Sequence, residues 1–161
     1  MNGSQAFLIG RNEMEQTISY QIKPSKFCIE IMEDVSYQKA IQEIIFSKEA
    51  DAKHDPQYRS THLTASLVPE DNHDSNAGNA VRVEIHGVTV GYLSRGDAQQ
   101  YRAILRSSGI SNAICTCKAR AMSRREGGDL LFRIWLHLDL HRPLEMDITQ
   151  VRPRRKIFGL F

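Results

Sequence analysis

The stretch Cys115-Thr116-Cys117-Lys118-Ala119-Arg120-Ala121, the turn-forming Arg125-Glu126-Gly127-Gly128, and Leu130-Leu131-Phe132-Arg133-Ile134-Trp135-Leu136-His137-Leu138 decide the fold class. Small or apolar residues alternate with polar ones on both sides of the glycines, the period of two that a half-buried strand requires. Cys115, Cys117, Ala119 and Ala121 then face a core, opposite Leu130, Phe132, Ile134, Leu136 and Leu138, in an antiparallel hairpin. The other face carries Lys118, Arg120, Arg133, Trp135 and His137. A register that keeps the apolar residues together sets Lys118 near Arg133 and Thr116 near Trp135. Cations around one large aromatic suit a single strand of nucleic acid: phosphates call for positive charge, and each stacked base contributes about 1–3 kcal/mol. An ordinary solvated sheet face, or one where Trp135 covers part of the core, has the same composition.

Upstream, Val81, Val83 and Ile85 face inward, and His86-Gly87 forms a two-residue hairpin turn that pairs Ile85 with Val88, Val83 with Val90 and Val81 with Tyr92. Tyr92 is thereby expected in the core. Leu63, Ala65 and Leu67 alternate with His62, Thr64 and Ser66 as another strand, ending at Pro69. Phe27, Ile29 and Ile31 point one way from a strand over Lys26–Met32, and Thr17–Ile22 is its expected partner across Lys23-Pro24-Ser25.

Two segments have the helical period instead. Tyr37, Ala40, Ile41, Ile44 and Ile45 share one face, with Ser36 placed as the N-cap. Ser94 followed by Asp97 starts a second helix in capping-box style, Ala98, Tyr101 and Leu105 form its apolar stripe, and Gly109 stops it. The reading is a mainly β (α+β) fold, a small OB- or SH3-like antiparallel barrel of about six strands with two flanking helices.

The 161 residues suffice for one domain. Residues 1–15 read as a flexible lead, 16–141 as the domain, and 142–161 as a tail that joins the basic Arg152–Lys156 cluster to the apolar Ile157–Phe161. Residues 48–60, polar and without period, read as a long loop. Apolar runs only a few residues long cannot span a bilayer, and the start, Met1 to Glu15, does not have the pattern of a secretory signal, so an intracellular, cytoplasmic protein is expected. Cys28, Cys115 and Cys117 lack metal or redox spacing and read as buried free thiols. The net charge of +2 permits nucleic-acid binding without demanding it. Six scattered histidines show no zinc spacing, and no phosphate-loop, nucleophile-elbow or paired-carboxylate signature occurs, so no metal, cofactor or catalysis is expected.

Taken together, Val35-Ser36-Tyr37-Gln38-Lys39-Ala40-Ile41, the loop Glu70-Asp71-Asn72-His73-Asp74, Asn79-Ala80-Val81-Arg82-Val83, Gly87, Val90-Gly91-Tyr92-Leu93-Ser94 and Asp97-Ala98 resemble a HIRAN domain, a DNA-end-binding module. The order and spacing match over roughly 26–109, and Cys117–Arg120 with Leu136–Leu140 is similar to the closing hairpin of bacterial members. The resemblance implies a small barrel that captures the 3′ end of single-stranded DNA in repair or replication. In the family pattern a loop aromatic stacks on a base and the following Asp accepts from the terminal 3′-hydroxyl. His73 and Asp74 occupy those places, with Tyr37 as a second ring and Asn72 and Asn79 as loop polar groups. The sequence departs from the pattern in lacking a Pro between Asn72 and His73 and in the inserted Ser75–Gly78. The expected function is thus a non-catalytic single-stranded DNA-binding module using Tyr37, Asn72, His73, Asp74, Asn79, Lys118, Arg120, Arg133 and Trp135. The alternative is a protein-interaction adaptor that presents the C-terminal tail to a partner.

Overall fold

The computed structural model describes residues 14–31, 35–47, 60–71 and 79–155. The strands are β1 (Met14–Ile22), β2 (Ile29–Glu30), β3 (Ser60–Glu70), β4 (Ala80–Ile85), β5 (Val88–Tyr92), β6 (Cys115–Glu126), β7 (Asp129–Leu136) and β8 (Met146–Arg155); the helices are α1 (Val35–Ser47) and α2 (Arg95–Ser107). Six strands in the order β2-β7-β6-β3-β4-β5 make a curled half-barrel in which every neighbouring pair is antiparallel. The mainly β fold with two helices expected from periodicity is the fold observed.

Alternation along each strand decides what the sheet encloses. Leu63, Ala65, Leu67, Val81, Val83, Ile85, Cys115, Cys117, Ala119, Ala121, Ile134 and Leu136 are all buried, and Ile41, Ile44 and Ile45 of α1 join them in one core with Ala98, Tyr101 and Leu105 of α2. The α2 signals act as read: the Ser94 hydroxyl accepts from the Asp97 amide at 3.2 Å, and Gly109 takes the left-handed conformation at φ 74° just past the helix. Helix α1 begins at Val35, so Ser36 lies inside its first turn and is not the cap.

One side chain of α1 completes the sheet. The Gln38 amide donates to the Phe132 carbonyl and accepts from the Phe132 N–H, both at 2.9 Å, as a neighbouring strand would. Replacing Gln38 with Ala leaves both groups of a buried residue without this partner, and a loss of about 1–3 kcal/mol is expected in urea unfolding. A loss under about 0.5 kcal/mol would show that water replaces both bonds.

Several expectations are corrected. β1 does not pair with β2: it runs antiparallel to β8 and touches β6 in parallel at Tyr20 and Gln21. The reason lies in the intervening segment, where the Lys23 amide bonds the Glu145 carbonyl at 2.8 Å and carries the chain away from a tight turn. β2 shrinks to two residues paired with Leu136 and Trp135, and Phe27, expected inward, is 60% exposed against the His141 ring. The expected tail contributes a strand, since Met146–Arg155 pairs along the whole of Met14–Ile22; the ordered sheet thus reaches Arg155, and 156–161 lie outside the described residues. The loop over 48–60 also lies outside them, up to Ser60, which starts β3.

Two registers differ as well. In the β4–β5 hairpin the His86-Gly87 turn is as expected, with φ 53° and 75°, but a bulge between Val83 and Glu84 pairs Val83 with Gly91 and Arg82 with Tyr92. The extra residue moves Tyr92 out of the core to a half-buried position on the outer face. In the β6–β7 hairpin Gly127 and Gly128 alone form the turn, both at positive φ, and Glu126 pairs with Asp129. Two consecutive left-handed residues match the strand twist better than a four-residue turn does. Arg120 therefore faces Trp135 and Met122 faces Arg133, in place of the expected Lys118 with Arg133 and Thr116 with Trp135.

Among the described residues no helix is long and apolar enough to cross a membrane.

Candidate nucleic-acid interface

The outer face of β3, β6 and β7 follows from the registers. Arg120 has His62 across one neighbouring strand and Trp135 across the other; Lys118 has Thr64 across β3. Beyond the end of β7 the chain stays in line, because the His137 amide donates to the Lys118 carbonyl at 2.9 Å. His62, Thr64, Lys118 and His137, with Pro24, line an open cleft of about 310 Å³. Lys118 and His62 are exposed, and Arg120, Trp135 and His137 half-buried.

The charges on this face are unequal. Arg133 is held by two carboxylates, Glu30 at 3.1 Å and Glu126 at 3.3 Å, so its charge is largely compensated. Among the described residues neither Lys118 nor Arg120 has an ion pair, and the Arg120 Nε is shielded from solvent without a hydrogen-bond partner. A desolvated donor of this kind gains most from an anionic acceptor. Two uncompensated cations between an indole and two imidazoles can bind phosphate and stack a base.

A second cluster lies at the far end of β3. Tyr37 of α1 packs its ring 6.4 Å from that of Tyr92, and the Tyr92 hydroxyl donates to Glu70 Oε1 at 3.4 Å. Partial burial, with the nearby Glu70 carboxylate, raises the Tyr92 phenol above its ordinary value and keeps it a donor. Glu70 and Glu84 together hold the Arg82 guanidinium. Asn79 is exposed at the turn into β4. Asn72, His73 and Asp74 lie outside the described residues.

What holds the stem of that loop is Arg102. Its guanidinium, on a residue only 5% exposed, donates to the Glu70 carbonyl at 3.2 Å, the Ala80 carbonyl at 3.3 Å and Asp71 Oδ1 at 2.6 Å. One side chain of α2 thus ties together the last residue of β3 and the first of β4, which pair with each other. The signal was present in the sequence: Ala98, Tyr101, Arg102 and Leu105 are spaced as one helical face, so the arginine sits on the apolar stripe.

The structure therefore unites Lys118, Arg120 and Trp135, adds His62 to them, and sets Arg133 apart in an ion-pair network. Tyr37 and Asn79 belong to the other end of β3, where Tyr92, Glu70, Arg82 and Arg102 were not anticipated. Glu70 lies six residue steps along β3 from Thr64, about 20 Å at roughly 3.3 Å per residue. Among the described residues no three His, Cys, Asp or Glu side chains are grouped to hold a metal. No family model, curated protein or solved structure matches the chain.

Proposed function

We propose that the chain is a non-catalytic nucleic-acid-binding domain that takes a single strand across the outer face of β3, β6 and β7. The observation that carries this reading is the pair Lys118 and Arg120, both without an ion pair among the described residues, Lys118 exposed at an open cleft and Arg120 with a desolvated Nε across from Trp135. Phosphates replace the missing anions, Trp135 offers a stacking surface, and the cleft at His62 and His137 receives a second planar group. The resemblance to HIRAN domains supports the same function and adds a preference for a DNA 3′ end, which Asn72, His73 and Asp74 would recognise.

Fluorescence anisotropy with labelled single strands tests the reading. Affinity for a single strand should exceed that for a blunt duplex and fall with salt, with a log–log slope of about −0.7 per phosphate contacted. No binding to any oligonucleotide at low salt would overturn the function. Equal affinity for 3′-hydroxyl and 3′-phosphate strands would overturn only end recognition, because a carboxylate that accepts from a hydroxyl repels a phosphate.

A further inference from the structure

The three cysteines occupy unlike places. Cys115 and Cys117 are buried under the sheet, where burial raises both thiols and pushes Cys117 up to about 12. They stay protonated and out of reach. Cys28 is half-buried, and its Sγ lies 3.3 Å from Nδ1 of His137, a residue that lines the cleft.

That contact is built by the backbone. The Ser25 amide reaches the His137 carbonyl at 3.4 Å, and the Leu138 amide donates to the Phe27 carbonyl at 3.1 Å, so the strand ending at His137 and the segment carrying Cys28 are laced together. The His137 amide bond to the Lys118 carbonyl places the imidazole next to the residue that brings a free cation to the cleft. A thiol touching a base, beside a positively charged opening, has the surroundings that make cysteines reactive.

We propose that Cys28 is a modification site for acidic disulfides, with His137 as its base and Lys118 as the group that draws the anionic reagent into the cleft. His137 Nδ1 takes the thiol proton. The Cys28 thiolate then attacks one sulfur of the disulfide; a Cys28 S–S bond forms as the reagent's own S–S bond breaks, and the second sulfur leaves with the electron pair as a thiolate. The proton stays on the imidazole or passes to the leaving thiolate, so the exchange is balanced with the disulfide as sole oxidant. This inference stands apart from the nucleic-acid reading, because its readout is the released thiolate.

The test treats the folded full chain with dithiobis-nitrobenzoate, an acidic disulfide whose thiolate product is coloured, and with neutral dithiodipyridine. One thiol of the three should react in the folded protein, at least about tenfold faster than the same thiol in the urea-unfolded chain, all three reacting only after unfolding. Cys28→Ser should abolish the fast phase. His137→Asn should slow both reagents about tenfold, and Lys118→Gln should slow the acidic reagent severalfold while sparing the neutral one. A fast phase that survives Cys28→Ser, or a Cys28 no faster folded than unfolded, overturns the site. Salt titration of the unaltered protein gives an independent decision should His137→Asn fail to fold. Added salt should slow the acidic reagent and leave the neutral one unchanged, and equal behaviour of the two overturns the role of the cleft.

Discussion

Arg102→Ala is expected to destabilise the fold by about 3 kcal/mol, the largest effect of any single polar side chain outside the core. The figure follows from what the guanidinium leaves behind. Two carbonyls, those of Glu70 and Ala80, lose a charged donor at the point where β3 and β4 end their pairing, and a buried acceptor without a partner costs about 1–3 kcal/mol. The ion pair with Asp71 adds little, because that carboxylate is 66% exposed and screened by water.

Two further substitutions separate the contributions. Arg102→Lys keeps the charge but replaces a planar fork with a single ammonium, which cannot reach three acceptors arranged around it, so most of the loss should persist. Arg102→Met keeps the packing of the stem and loses every hydrogen bond; it should fall close to Ala if the carbonyls dominate, and close to the unaltered protein if packing does. Urea unfolding followed by circular dichroism measures all three. A loss below about 1 kcal/mol for Arg102→Ala would mean that water satisfies both carbonyls, and that α2 does not hold the loop stem.

Arg102 also shows where reading a sequence stops. Helix α2 was legible because its cap, stripe and terminating Gly109 are local signals within about four turns of one helix, and the sheet was legible because alternation is local too. The arginine lay on the apolar stripe in plain view, yet its acceptors are main-chain carbonyls about 20 to 30 residues away, which no side-chain pattern announces. Strand β8 is not legible in the sequence for a related reason. Met146–Arg155 alternates poorly and contains Pro153 and three arginines, and it becomes a strand by pairing with β1 at the other end of the chain. The candidate face fared better: its composition was visible, but its register was not, because the choice between a four-residue turn and the Gly127-Gly128 turn moves every cross-strand neighbour. Arg133 reads as one more cation of that face, since nothing nearby in sequence predicts that Glu30, 103 residues earlier, lies against it.

The corrected register is what makes the second large effect specific. Lys118→Glu combined with Arg120→Gln is expected to weaken single-strand binding about 100-fold at 50 mM salt and to flatten the salt slope by about 1.4. Each cation that meets a phosphate of a single strand contributes about 0.7 to the slope, which at this salt is a little under one power of ten in affinity. Two such contacts give roughly 60-fold, and the carboxylate introduced at exposed Lys118 adds repulsion. Arg133→Gln is the control on the same face: its charge is already met by Glu30 and Glu126, so its removal should change affinity less than about threefold. Trp135→Ala should weaken binding by about 1–3 kcal/mol with the salt slope unchanged, because stacking releases no counterions. These three variants distinguish a strand lying across β3, β6 and β7 from one held elsewhere. Arg133→Gln removes one unit of charge and the double variant three, so a loss for Arg133→Gln of about a third of the double variant's, on a logarithmic scale, would mean that binding follows net charge and not this face. If neither changes the slope, the phosphates run past cations other than Lys118, Arg120 and Arg133, and the strand does not lie across β3, β6 and β7.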